Sequence, residues 1–210
     1  MIPLIQMIVA VEMLLLPVWV AAVSVRPRRS GLATDAGSGE FRARLSLALA
    51  PVIVLAVLLL GLGAMAEPSA VGAVLAAQAV AVGFTVLLTG IAAVLHRWMG
   101  SIAAQIVTVL VGGLLLGGII LAGPLADLTT GPTQAIIVCT AVYANPLVVA
   151  ERALDLDWLH QDLTYRWTPL GESYGYLLQD ASWWRTLLAH LFIGSGLLVF
   201  GATGGRRKNG

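Results

Sequence analysis

Charge is scarce in this sequence. Only 11% of its 210 residues are Asp, Glu, Lys or Arg, against about a quarter in soluble domains. With 59% hydrophobic residues and a mean hydropathy of +0.91, too few polar groups remain to cover a surface facing water, and the chain needs a bilayer as its solvent. Cysteine is nearly absent: the single Cys139, set in an apolar run, allows neither a disulfide framework nor a thiolate metal site within one chain, and reads as a small core residue. An excess of positive charge is also missing. Twelve basic and 11 acidic residues give a net +1, which argues against nucleic acid as a partner. No glycine loop to cradle phosphate, no nucleophile beside a base and no glycosidase-type carboxylate pair is visible, so an enzyme is the weakest class and no cofactor is expected. No internal repeat and no stretch fit for a separate soluble domain interrupts the pattern.

What the sequence does have is apolar runs of membrane length. A spanning helix needs about 20 apolar residues, and such runs occupy residues 2–25, 45–66, 70–95, 101–123 and 186–203, with a marginal one at 133–150. The expectation is an all-α, polytopic transmembrane bundle of five to six spans in one integral membrane domain. The first run is followed, not preceded, by Arg26, Arg28 and Arg29, the reverse of a signal peptide. It therefore reads as an uncleaved span with its N-terminus outside, and residues 26–44 as a glycine-rich cytoplasmic loop holding five arginines.

The 133–150 run decides the topology. Asn145-Pro146 breaks it, because proline lacks a backbone donor and disfavours helical geometry in the residue before it. If the run crosses, there are six spans; if it dips in and returns, there are five, with the C-terminus in the cytoplasm. Both arrangements leave nine Lys and Arg inside and three outside. The abutting Arg206, Arg207 and Lys208 cluster, the marginal length and the Asn-Pro break favour five spans with 133–150 re-entrant, in a multi-pass protein of a bacterial inner (plasma) membrane. Residues 151–185 then form an acidic and aromatic outer-face segment, with an amphipathic interfacial helix before the last span.

Several residues could carry chemistry. Glu12 lies near the middle of the first run, where an ionised carboxylate costs at least about 2.5–3.5 kcal/mol. It is a candidate cargo or proton site with Gln78 or Gln105 as neighbour, or else a contact to a partner subunit. Gly113 and Gly117, four apart in VGGLLLGG, fit a close helix contact, and Ala70, Ala73, Ala77 and Ala81 offer a surface to receive it. Asp155, Asp157, His160 and Asp162 suggest a metal site, but helical spacing spreads them, with Glu151, over different faces and favours a solvated amphipathic helix. Trp158, Tyr165, Trp167, Trp183 and Trp184 have the composition of an interfacial aromatic belt. His190 reads as a packed histidine.

The apolar run ending in Asn145-Pro146, followed by Leu163-Thr164-Tyr165, Thr168-Pro169, Tyr176 and Ser182-Trp183-Trp184 before the final helix, resembles the ABC-2 type transporter permeases, mainly over the C-terminal half. The resemblance implies late helices that pack tightly, short re-entrant elements on the outer face, and a membrane half that works with a cytoplasmic ATPase. The first span of that family and its cytoplasmic lead-in have no counterpart here. The expected function is thus a permease-like subunit of a multi-protein complex, lining or capping a translocation path, with other membrane subunits as partners. The alternative is a structural or accessory subunit of a respiratory or secretion complex.

Overall fold

A computed structural model describes residues 2–24, 36–155 and 182–203. These residues are 91% helical and contain no strand, so the chain is all-α. Eight helices follow one another among the described residues: α1 (Ile2–Ser24), α2 (Ala36–Ala66), α3 (Ala70–Trp98), α4 (Ser101–Gly117), α5 (Ile119–Asp127), α6 (Pro132–Ala144), α7 (Pro146–Ala153) and α8 (Trp183–Thr203). Four of them, α1, α2, α3 and α8, are long and apolar enough to cross a membrane. The count rises to six if each of two bent pairs, α4 with α5 and α6 with α7, makes one span.

The α1 boundaries match the first apolar run. The polar loop expected through residue 44 is helical from Ala36, because Glu40, Phe41, Arg42, Ala43 and Arg44 continue the helix at little propensity cost. Arg44 uses this extension: its Nη1 donates to the Ser24 carbonyl at 2.8 Å, capping the end of α1. The fourth run is not one helix to residue 123 either. It bends by 60° at Gly118 and continues past Pro124 to Asp127, since a Gly117-Gly118 pair followed by proline weakens the helical ladder. The connection to α6 shrinks to residues 128–131 and turns at Gly131, whose φ of +62° strains any side-chain-bearing residue.

The second bend, 73°, falls at Asn145 as the Asn-Pro rule requires. α6 and α7 reach about 20 and 12 Å at 1.5 Å per residue, each short of the roughly 30 Å hydrocarbon core. α5 and α6 pack together as a hairpin, with Ile119, Ala122, Ala126, Val138 and Val142 between them and Val148 of α7 closing the cluster.

α3 is the axis of the bundle. Two thirds of its apolar window is covered, against about a fifth for α2 and α8. Its Val74, Ala77, Val80, Ala81, Phe84, Leu87 and Leu88 join Ile5, Val9 and Met13 of α1, Val52 and Leu59 of α2, and Leu147 and Ala150 of α7 in one core. The buried hydroxyls of Thr85, Thr89 and Thr108 donate to carbonyls four residues back, so they bring no unmet polar group into it.

Candidate functional site

The polar residues inside this apolar bundle gather at three places. The first is Glu12, the eleventh residue of the 23 in α1 and 8% exposed. Gln78, on the buried face of α3, donates from Nε2 to Glu12 Oε2 at 2.8 Å. Glu12 Oε1 and Gln78 Oε1 have no hydrogen-bond partner. Of the two glutamines that could neighbour Glu12, Gln78 is therefore the one that reaches it; Gln105 stays half-buried on α4 without a bond to the carboxylate.

The second place is the Asn145 break, where ending α6 frees donors and acceptors that hydrocarbon cannot satisfy. Asn145 is fully buried and caps α7, its Oδ1 accepting from the amides of Leu147 at 3.0 Å and Val148 at 3.2 Å. Pro146 takes the first helical position, where no donor is needed. On the other side of the break, the Tyr143 carbonyl accepts from Thr186 Oγ1 at 3.1 Å. His190, one turn further along α8, is buried and packs its ring 6.0 Å from that of Phe84, with Nδ1 left without a partner. Asn145 Nδ2 then donates to the Leu116 carbonyl at 2.7 Å, next to the bend in the other broken pair.

The third place is Glu151 on α7, wholly buried, with neither carboxylate oxygen hydrogen-bonded. Gln6 of α1 fastens the end of the same helix, donating to the Leu154 carbonyl at 3.0 Å. The sequence pattern places Glu151 on a solvated face; the structure buries it instead. The Asn-Pro cap sets the register of α7, and Glu151 falls one turn from both Leu147 and Leu154, which face the core.

Close helix packing is not where the glycine motif placed it. A Cβ at Gly113 or Gly117 would meet nothing within 4 Å, and both residues are exposed. The buried row of α4 is Ala104, Thr108, Gly112 and Leu116, and a Cβ at Gly112 would fall 2.6 Å from Pro17 Cβ of α1. A one-residue difference in register turns Gly113 and Gly117 outward. The tightest seam joins α3 to α8: a Cβ at Gly90 would lie 2.5 Å from the Gly194 carbonyl oxygen, and one at Gly194 2.7 Å from the Leu87 amide nitrogen. Gly83 against Leu187 and His190, and Gly201 against Ala93, extend it. Glycines seven apart on each helix, 83 with 90 and 194 with 201, were the readable signal for this seam.

Of the aromatics expected to form a belt, Trp183 and Trp184 open α8 and are partly exposed, with the Arg185 guanidinium 5.4 Å above the Trp184 ring. Trp158, Tyr165 and Trp167 lie outside the described residues, as do Asp157, His160, Asp162 and most of the expected interfacial helix. Among the described residues no three His, Cys, Asp or Glu side chains come together as a metal site. No protein-family model, curated protein or solved structure matches the chain.

Proposed function

We propose that the chain is a permease-like membrane subunit of a multi-protein complex, in which the bundle lines or caps a translocation path and a separate cytoplasmic ATPase supplies energy. The observation that carries this reading is the Glu12–Gln78 pair: a carboxylate about 15 Å from either end of a spanning helix, held from within the chain and with one oxygen still unpaired. Ionisable groups at that depth are costly and mark substrate or ion paths. Gln78 also gives Glu12 a polar contact from within the chain, one that a neighbouring subunit would otherwise have to supply. The reading includes five spans, with residues 133–150, in the bent α6–α7 pair, re-entrant, the N-terminus outside, the C-terminus in the cytoplasm of a bacterium, and residues 151–185 on the outer face carrying the interfacial helix.

The accessory-subunit reading draws on a different observation. The carbonyl of Tyr143, beside the break, is met by Thr186 of the same chain, as a rigid packing element requires. Purification in mild detergent with identification of co-purifying chains tests both. The permease reading expects an ATPase and a second permease chain, the accessory reading a larger assembly without one, and recovery of the chain alone overturns both. Glu12→Gln separates them further: flux falls with assembly intact in the first, and assembly fails in the second. For topology, a cysteine at Thr164 in a Cys139→Ala chain should react with an impermeant thiol reagent on intact cells, and labelling only after lysis refutes the five-span arrangement.

A further inference from the structure

α7 is a short helix held between two breaks. Its eight residues begin at the Asn145 cap and end before Asp155, whose φ of +57° is the one positive value at a non-glycine residue among the described residues. A helix of this length has little stability of its own, so where it sits depends on docking. Leu147, Ala150 and Leu154 give the docked face to the core, and Gln6 of α1 ties the far end through the Leu154 carbonyl. Glu151 belongs to the same row, one turn from Leu147 and from Leu154.

The packing around that row answers no charge. Glu151 is 0% exposed and neither of its oxygens has a hydrogen-bond partner. α7 packs against α1, α3, α4, α6 and α8. α4 has no ionisable side chain, and α3 has only His96 and Arg97, in its last turn. Glu12 of α1 is bonded to Gln78, Arg185 of α8 donates to the Tyr143 hydroxyl of α6, and His190 of α8 packs on Phe84. Cys139 of α6 and, in the same segment as Glu151, Arg152 and Asp155 complete the set, and none of these groups bonds the carboxyl. Burial alone acts on it, and pushes it up from 4.5 to about 7.

The helix contacts tell at which end of the bundle this happens. Gly83 meets Leu187 and Gly90 meets Gly194, so α8 runs in the same direction as α3, the relation that five spans give and six do not. Glu12 is level with Gln78, and Pro17 with Leu88 across Gly112, so α1 runs that way too. Gln6 is in the second turn of α1. The end of α7 is therefore held where these three helices begin, on the outer side in the five-span reading.

We infer that α7 is a pH-sensitive latch at this end of the bundle, docked on α1 and α3 while Glu151 carries a proton and released when the carboxyl gives that proton to the adjoining solution. Released, the carboxyl titrates at its ordinary 4.5; docked, at about 7. Between these values the docked state binds more protons than the released one, so docking weakens as pH rises through the window, and the loss is complete above about 7. The latch rests on the five-span reading only for which solution takes the proton, and not at all on transport.

The fraction released is read on the full chain in phosphatidylcholine nanodiscs, as the rate at which an impermeant maleimide modifies a cysteine at Ala150, which is 0% exposed, in a Cys139→Ala background. Dividing by the rate for a cysteine at the exposed Thr130 removes the pH dependence of the thiol itself. From pH 5 to pH 8 the ratio should rise about tenfold or more. Glu151→Gln and Glu151→Leu, which cannot ionise, should each abolish the rise in a chain that still unfolds cooperatively, and Glu12→Gln should keep it. A ratio that does not change with pH, a rise that persists in both Glu151 variants, or its loss in Glu12→Gln overturns the latch. On intact cells, a rise that follows external pH upholds the latch and its outer position, whereas a rise seen in nanodiscs but on cells only after lysis upholds the latch and overturns the five-span reading.

Discussion

Asn145 Nδ2 donates to the Leu116 carbonyl at 2.7 Å, and this one bond ties the break in the α6–α7 pair to the bend in the α4–α5 pair. The two irregular stretches of backbone share a joint, with Asn145 serving three partners from a position closed to solvent.

Asn145→Ala removes the cap of α7 and the tie to Leu116 together. A lost N-cap costs about 1 kcal/mol and an orphaned buried carbonyl about 1–3 kcal/mol more, so a loss of roughly 2–4 kcal/mol is expected in reversible unfolding in detergent. An unchanged midpoint would show that the joint is not under this residue's control.

Glycine positions should divide sharply. Gly194→Ala places a Cβ 2.7 Å from the Leu87 amide nitrogen and 2.8 Å from its Cα, backbone that cannot step aside. Helices α3 and α8 must separate, and destabilisation by about 1–3 kcal/mol follows from overpacking. Gly113→Ala and Gly117→Ala meet nothing within 4 Å, and the better helix propensity of alanine should leave them neutral or up to about 1 kcal/mol more stable. Thermal scans of the three variants in the same detergent check this, and similar losses in all three would place the seam elsewhere.

Gln78→Leu removes the one hydrogen bond that the Glu12 carboxylate accepts and should cost about 1–3 kcal/mol. The double variant Glu12→Leu with Gln78→Leu replaces the whole pair by apolar groups and should recover most of that loss. A thermodynamic cycle over the four proteins reads the coupling directly; additivity of the two single effects would mean that the residues do not interact.

Glu151→Leu is expected to stabilise the chain or leave it unchanged, because both carboxylate oxygens are buried without partners and a leucine asks for none. Denaturant unfolding of the variant provides the measurement. A large loss would show that Glu151 makes an essential contact with residues outside those described.

The sequence disclosed the parts of this architecture that depend on local chemistry. Pro146 has no donor and Asn145 is a good cap, so the break between α6 and α7 was visible from two adjacent residues. Glu12 announced itself by depth alone, and the glutamine partner could be narrowed to two positions, though a pairing across 66 residues is set by how α1 and α3 rotate against each other. That rotation is also why the glycine contact was misplaced: Gly112 and Gly113 are adjacent in sequence, and only the packing of α4 on Pro17 determines which of them faces a neighbour. Glu151 was hidden for a related reason. A charged residue beside other charges reads as solvated until the cap upstream is used to fix which face of α7 it occupies.

The α3–α8 seam has a consequence for how the protein is made. Gly90 and Gly194 meet across 104 residues of chain, and at about 5–20 residues per second a ribosome needs roughly 5–20 s to supply the second after the first. For that interval the central helix is in the membrane with its most closely fitted face against lipid or an insertion factor. Assembly of the bundle is therefore completed outward from α3 in time as well as in space, and the late arrival of α8 is the step at which a quality-control protease could still tell an unfinished chain from a finished one.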